Sequence, residues 1–271
     1  MITSTSNDRV KRVVNYVEKS KARREDKVFV IEGMKMLREA PVLQVQEVYV
    51  TEKFLDNAGE GDKEILWRYG AEPVSEEVMK KMSDTQTPQG VLAVMHQYEY
   101  TLEEVLEGYN QDAAGEGKEA APLILILENI QDPGNLGTML RSGEGAGVTG
   151  VIMSRGSADI YNPKVIRSTM GSVFRVPFIY VDDLPGMVRE LGEKGINTYA
   201  AHLKGQKNYD EFDYTKPTAF LIGNEGNGLT KETADAAGTY VLIPMKGEVE
   251  SMNAATSSAI LTFEASRQRR G

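Results

Sequence analysis

The apolar positions along this chain alternate between two periods, and together they predict an α/β protein. Over 7–24, Val10, Val13, Val14 and Val17 repeat at helical spacing with basic side chains on the other faces. A strand is expected at 28–31, followed by a helix after Gly33 that turns Met34, Met36 and Leu37 inward. A strand at 47–50 and a helix at 62–69 come next; a short segment at 72–74 then leads into a helix at 76–82, and a strand at 90–95 closes the set. Past Pro122, Leu123–Leu127 is apolar at every position, as a central strand covered on both faces requires. Strands at 151–153, 197–201, 219–223 and 240–243 alternate with helices at 136–146, 163–170, 184–193 and 229–236. A last helix starts at Asn253, a good N-cap residue, and carries Ala254, Ala255, Ala259, Ile260 and Phe263 inward. Such alternation argues for a mostly parallel sheet with helices on both faces.

Between the two patterns lies 99–121, where seven acidic residues face one lysine. Its first half, with Leu102, Val105 and Leu106, suits a short helix, and its second half has a linker's composition. The expected organisation is one domain over 1–98, an acidic linker over 99–121 and a second domain over 122–271.

Composition narrows the chemistry. The 271 residues are 41% hydrophobic and 26% charged, ordinary for a soluble globular protein. No apolar run is long enough to span a membrane, and the polar N-terminus does not resemble a secretory signal. Zero cysteines exclude disulfides and thiolate metal sites and suit a reducing cytoplasm. With only His96 and His202, far apart in sequence, a His-rich metal site or a Ser-His-Asp triad is not expected, and no metal is assigned. The net charge of −9 argues against a nucleic-acid partner, but residues 1–38 carry ten basic side chains against five acidic ones. Arg9, Lys11, Arg12, Arg23 and Arg24 in that arm are candidate RNA contacts; the alternative is a solvated helix face.

Three stretches carry polar groups where a strand gives way to a helix, the edge at which such sheets bind ligands. The first, 129–147, holds Asn135 and Arg141, which are six residues apart and so about 120° off a common helix face. An Arg on an otherwise small and apolar helix suggests a carboxylate or phosphate partner, unless it merely faces solvent. The second, 220–230, has three glycines after a strand, with Glu225 inside the turn. The third, 240–253, ends in Ser251 and Asn253. The GxGxxG of Gly145–Gly150 is a decoy, because it closes a helix and precedes a strand, the reverse of a dinucleotide fingerprint. A nucleotide-binding oxidoreductase therefore lacks its signature.

In order and spacing, N-x-G-x-x-x-R, I-G-N-E-G-x-G-L and I-P-M-x-G-x-V-E-S-x-N resemble the three motifs of the SpoU (TrmH-type) branch of the SPOUT RNA methyltransferases. S-x-S-N-D-x-V-K, F-V-I-E-G and T-x-T-P-Q-G-V-L-A-V resemble the L30e-like substrate-binding domain of the same family. The resemblance implies a C-terminal trefoil knot that holds S-adenosylmethionine, a homodimer through the C-terminal domain, and 2′-O-methylation of ribose in ribosomal RNA. It places Gly223, Ile243 and Met252 at the cofactor, and Asn135, Arg141, Glu225, Ser251 and Asn253 in the active-site polar set. One departure stands out: Ser251 is followed by Met-Asn-Ala-Ala where the family usually has Leu-Asn-Val-Ser. The competing readings are a catalytically idle RNA-binding protein of the same fold and a methyltransferase acting on tRNA.

Overall fold

The computed structural model describes residues 1–108, 121–249 and 251–270, which form two compact units. The second half of the expected linker lies outside the described residues.

The first unit comprises Met1–Tyr98 together with Asp159–Phe174. Its elements are α1 (Asp8–Glu18), α2 (Ser20–Asp26), β1 (Val28–Glu32), α3 (Met34–Glu39), β2 (Val45–Thr51), α4 (Glu52–Asn57), α5 (Glu60–Arg68), β3 (Glu72–Val74), α6 (Glu76–Met82) and β4 (Val91–His96). The strands form one sheet in the order β1-β4-β2-β3. The single helix expected over 7–24 is two helices, because Lys19 is extended (φ −120°, ψ 113°) and ends α1. Val10, Val13 and Tyr16 still bury one face of α1 against Val28, Val30 and Val78.

Residues 159–174, which fall within the 122–271 span expected as the second domain, pack by contact with this first unit. The Tyr161 ring sits 4.8 Å from that of Phe29, and its hydroxyl bonds to the backbone of Tyr98. Asp159 pairs with Arg23, and the helix that follows packs on β1.

The second unit takes the rest: α7 (Leu102–Glu107), β5 (Leu123–Leu127), α8 (Pro133–Ala146), β6 (Gly150–Ser154), β7 (Phe178–Val181), α10 (Leu184–Glu193), β8 (Asn197–Ala201), β9 (Lys207–Asn208), β10 (Thr218–Ile222), α11 (Lys231–Ala236), β11 (Thr239–Leu242) and α12 (Ala254–Arg269), with α9 (Pro163–Thr169) being the helix assigned to the first unit. Among the described residues its seven strands are all parallel, in the order β7-β6-β5-β10-β8-β11-β9. Alternate residues of β5 divide between two cores. Ile124 and Ile126 pack with Val105, Leu184, Val188 and Ala234 from α7, α10 and α11. On the other face, Leu125 meets α8 at Gly143, and α12 packs on α8, β10 and β5. The helix anticipated at 102–106 packs into this core through Val105.

Strand order reverses between β5 and β10. The chain leaves β5 toward β6 and β7, then returns through β8 and β10, so the loops after β5 and β10 face each other at the carboxyl edge. α12 starts at this edge and ends at the opposite one, where the Arg269 guanidinium donates to the carbonyls of Pro122, Tyr214 and Lys216 at 2.8–3.0 Å.

Candidate active site

The three polar stretches meet at this switch point. Asp132 caps α8 by accepting from the Asn135 N–H at 2.7 Å, and Pro133 occupies the first turn, where a missing N–H costs nothing. The cap fixes Asn135 in the first turn of α8, half-buried at the sheet edge. Asn253 caps α12 in the same way, its Oδ1 accepting from the N–H groups of Ala255 (2.9 Å) and Thr256 (3.2 Å). With its oxygen so engaged, its amide NH2 must point outward, and it donates to Asn135 Oδ1 at 2.9 Å. The Asn135 NH2 in turn donates to Glu225 Oε1 at 3.0 Å. Glu225, acceptor-only when ionised, also receives the N–H groups of Gln131 (3.1 Å) and Asp132 (3.0 Å). The result is an oriented chain from a helix cap through two amides to a carboxylate, in which each amide has one allowed orientation.

Burial alone would raise the Glu225 carboxyl, but the hydrogen bonds from Asn135 and from the Gln131 and Asp132 N–H groups outweigh it and hold the group below its ordinary value. Glu225 is thus an anion that organises donors.

Two clefts meet at the Glu225 end of this chain. One, of about 350 Å3, is lined by Gly223, Ile243 and Met252, the three positions expected at a cofactor, and by Leu229, Leu242 and Met245. Apolar side chains set among polar ones and the backbone of a Gly-rich turn, at a volume within the usual range for small-ligand sites, suit an adenosine-bearing molecule. The other is an open groove lined by Asn135, Glu225, Ser251, Met252 and Asn253. Glu225, Ser251 and Met252 belong to both, so they form the partition between the two clefts.

Gly223 is required by the turn itself. A Cβ there would lie 2.1 Å from the carbonyl carbon of Gly228 and from Leu229 N. The turn closes through a reciprocal backbone pair between Asn224 and Gly228 at 2.9–3.1 Å.

Arg141 is not part of this constellation. It lies about 1.7 turns beyond Asn135 on α8, about 9 Å along the axis, exposed and with no side-chain hydrogen bond or ion pair among the described residues. Phe263, expected inward, is 44% exposed on neighbouring α12, its ring 3.6 Å from where a Gly145 Cβ would stand.

In the basic arm the structure corrects one expectation outright. Arg23 is 2% exposed and donates to the Tyr16 and Val17 carbonyls (2.7 and 3.2 Å) and to Asp159 (2.6 Å), so it is a buried structural tie and not an RNA contact. Arg9 pairs with Glu72 at 3.0 Å and lies over the Tyr49 ring, and Arg12 pairs with Glu47. Lys11 is exposed beside Asp8, and Arg24 is exposed without an ion pair among the described residues.

Glu128, Asn129 and Asn224 were not singled out by motif reading. Glu128, buried at the end of β5, accepts from Thr230 N (2.7 Å), Thr230 Oγ1 (2.8 Å) and Thr233 Oγ1 (2.5 Å), tying β5 to the start of α11. The signal available for it was a carboxylate immediately after a strand buried on both faces, where a charge must find partners. Among the described residues no cluster of His, Cys, Asp and Glu could hold a metal, and no helix is long and apolar enough to cross a membrane.

Residues 122–263 match the SpoU rRNA Methylase family, and residues 7–93 match the MRM3-like substrate binding domain. The chain is similar to the 23S rRNA (guanosine(2553)-2'-O)-methyltransferase RlmP of Bacillus subtilis, 33% identical over 70% of each protein. It is 32% identical to the 23S rRNA (guanosine-2'-O-)-methyltransferase RlmB of Bordetella pertussis, over 87% of this chain and 94% of that one. Its structure resembles that of an AdoMet-bound rRNA methyltransferase from Sinorhizobium meliloti, with a TM-score of 0.81, 29% identity, and coverage of 98% of this chain and 97% of that one.

Proposed function

This chain belongs to the SpoU rRNA methylase family, and from that premise we propose how its own residues carry out the reaction. It is an S-adenosylmethionine-dependent RNA methyltransferase that modifies a ribose 2′-hydroxyl. The finer reading is that 23S-type ribosomal RNA is the substrate, which the names of the RlmP and RlmB relatives support, and that the reaction takes place in the cytoplasm, which the absence of cysteine suits.

S-adenosylmethionine supplies a methyl already activated on a sulfonium, so the protein's task is alignment and help with a weakly acidic hydroxyl. Gly223, Ile243 and Met252 hold the cofactor in the first cleft, and the ribose lies in the open groove, across the partition formed by Glu225, Ser251 and Met252. Asn135 and Ser251 orient the 2′-hydroxyl. Asn253 fixes Asn135, and Glu225 fixes both Asn135 and the backbone after β5. Arg141 holds the adjoining phosphate and favours the developing alkoxide electrostatically, since a guanidinium remains protonated and is a poor base.

A homodimer through α8 and α12 belongs to the same proposal. The exposed Phe263 on that face supports it, and such an interface would include the helix that carries Arg141. A trefoil knot at the C-terminus is supported by the path of the chain, which returns from β11 to lay α12 on α8, β10 and β5.

The observation that carries the reading is the hydrogen-bonded chain Asn253–Asn135–Glu225, which lines the open groove and reaches the other cleft at Glu225. Tritium transfer from labelled cofactor to 23S rRNA, with the product mapped as a 2′-O-methyl ribose, tests it. Asn253→Ala should lower that transfer by roughly ten- to a hundredfold, since about 1 Å of misplacement carries such a cost. Methylation of a base, or none in any RNA, would remove the assignment.

A further inference from the structure

Three loops end at the carboxyl edge around the active site, and one residue outside both clefts joins them. Asn129, the second residue after β5, has φ +52°, a left-handed conformation that Asn tolerates better than most side chains. Its N–H donates to Ser154 Oγ at 2.8 Å, and its Oδ1 accepts from that same hydroxyl at 3.1 Å, which ties it to the end of β6. Its carbonyl accepts from Asn224 Nδ2 at 2.8 Å and from Gln131 Nε2 at 3.2 Å. Asn224 Oδ1 then accepts the N–H groups of Gly226 and Asn227, both at 3.0 Å, and so shapes the turn that presents Glu225. Gln131 donates its own N–H to Glu225 at 3.1 Å.

The side chain of Asn129 fills a space left open by Gly156. A Cβ on Gly156 would stand 2.0 Å from Asn129 Oδ1 and 3.1 Å from its Cγ, with no atom outside that side chain among its nearest neighbours. Gly156 is not among the residues with positive φ, so its own backbone would accept an alanine.

We propose that Asn129 is a positioning residue for methyl transfer: seated against Gly156 and Ser154, it sets the geometry of the Asn224–Gly228 turn and, through Glu225, of Asn135. The inference rests on the methyltransferase reading above. Asn129 lines neither cleft and acts only through Asn224 and Gln131.

The test uses full-length protein, calorimetric binding of S-adenosylmethionine, single-turnover methyl transfer to 23S rRNA and thermal melting. Gly156→Ala should displace the Asn129 side chain, weaken cofactor binding several-fold and slow methyl transfer roughly ten- to a hundredfold, with KM for RNA nearly unchanged. In an Asn129→Gly background, which keeps the left-handed backbone and vacates the space, adding Gly156→Ala should change the rate less than about twofold. Asn129→Asp keeps the acceptor for Ser154 and the tolerance of positive φ, and should retain a rate within about threefold of the parent. A role confined to stability would lower the melting temperature of Gly156→Ala while leaving rate and cofactor affinity intact well below it, and that result overturns the proposal. So does a rate loss from Gly156→Ala that is equally large in the Asn129→Gly background. If Gly156→Ala does not fold, Ser154→Ala removes the same tie, and unchanged cofactor affinity and rate in that variant refute the inference. A wild-type protein that neither binds the cofactor nor methylates RNA sinks the functional reading itself, and this inference with it.

Discussion

The basic arm of the first unit and the loop cluster of the second were both expected to meet a ligand, and they use their polar residues in opposite ways. In the arm, the guanidiniums of Arg9, Arg12 and Arg23 are already engaged with Glu72, Glu47 and Asp159 of the same chain. In the loop cluster, Asn135, Glu225 and Asn253 come from positions up to 118 residues apart, yet they converge on one another along one open groove. A count of charges says nothing of which are neutralised at home. Ordered motifs at three strand ends fix a meeting place, because every strand end of a parallel sheet of this kind opens on the same edge.

Arg141 offers the sharpest way to break this contrast, since it belongs to the motifs but stands apart from the cluster. If it acts on the ribose phosphate, Arg141→Ala should slow single-turnover methyl transfer about a hundred- to a thousandfold, a loss of roughly 3–4 kcal/mol of transition-state stabilisation. Folding and cofactor affinity should be unaffected, because the side chain has no partner among the described residues. Arg141→Lys should restore little, as a point charge does not copy the planar fork. A rate within threefold of the parent for Arg141→Ala would return it to the surface.

Arg23 tests the other side of the contrast. Arg23→Ala should cost about 2–3 kcal/mol of stability in chemical denaturation, somewhat below the usual cost of breaking a buried pair because Asp159 keeps some contact with water. RNA affinity under native conditions should be unchanged. A variant of normal stability with weakened RNA binding would restore Arg23 to the RNA-contact set.

Much of this could be read in advance where one physical requirement acts alone. Leu123–Leu127 is buried on both faces, which leaves only apolar residues possible, and Asn253 starts α12 because a helix needs a cap there. The rest depended on contacts distant in sequence. The valine period runs through 7–24 without a sign that Lys19 breaks it. β7 is an edge strand and half-buried past Phe178, too short and mixed to stand out. Residues 159–174 follow a strand and carry a helix like their neighbours, yet Tyr161 and Asp159 find their partners in the first unit. Of the site, motif spacing located Asn135, Glu225 and Asn253 but could not show that their amides and carboxylate bond in series. Nor could it separate Arg141 from them beyond noting the 120° offset.

A smaller effect is expected at Gly223. Gly223→Ala should destabilise the protein by about 1–3 kcal/mol, as overpacking does, and weaken calorimetric binding of S-adenosylmethionine at least tenfold by opening the turn. Gly226, where the nearest atom to an added Cβ is 3.6 Å away, is the control in the same turn, and Gly226→Ala should do neither. Equal cofactor affinity in the two variants would mean that the cleft does not depend on this turn.

The smallest effect concerns the charges that the arm has left over. Lys11 and Arg24 are exposed; Lys11 has only a solvent-facing contact with Asp8, and Arg24 has no ion pair among the described residues. A surface pair of the Lys11–Asp8 kind is worth at most about 1 kcal/mol, so an RNA phosphate can displace it. If these two side chains contact phosphate, Lys11→Gln and Arg24→Gln should each weaken binding modestly and reduce the slope of log K against log salt by about one, since each contact releases about one counterion. Arg12→Gln should move the slope less, because the guanidinium must first leave Glu47, a carboxylate only 19% exposed. Identical slopes for the Lys11, Arg24 and Arg12 variants and the parent, measured from 50 to 200 mM salt, would show that the arm's charge serves its own fold and that RNA is held elsewhere.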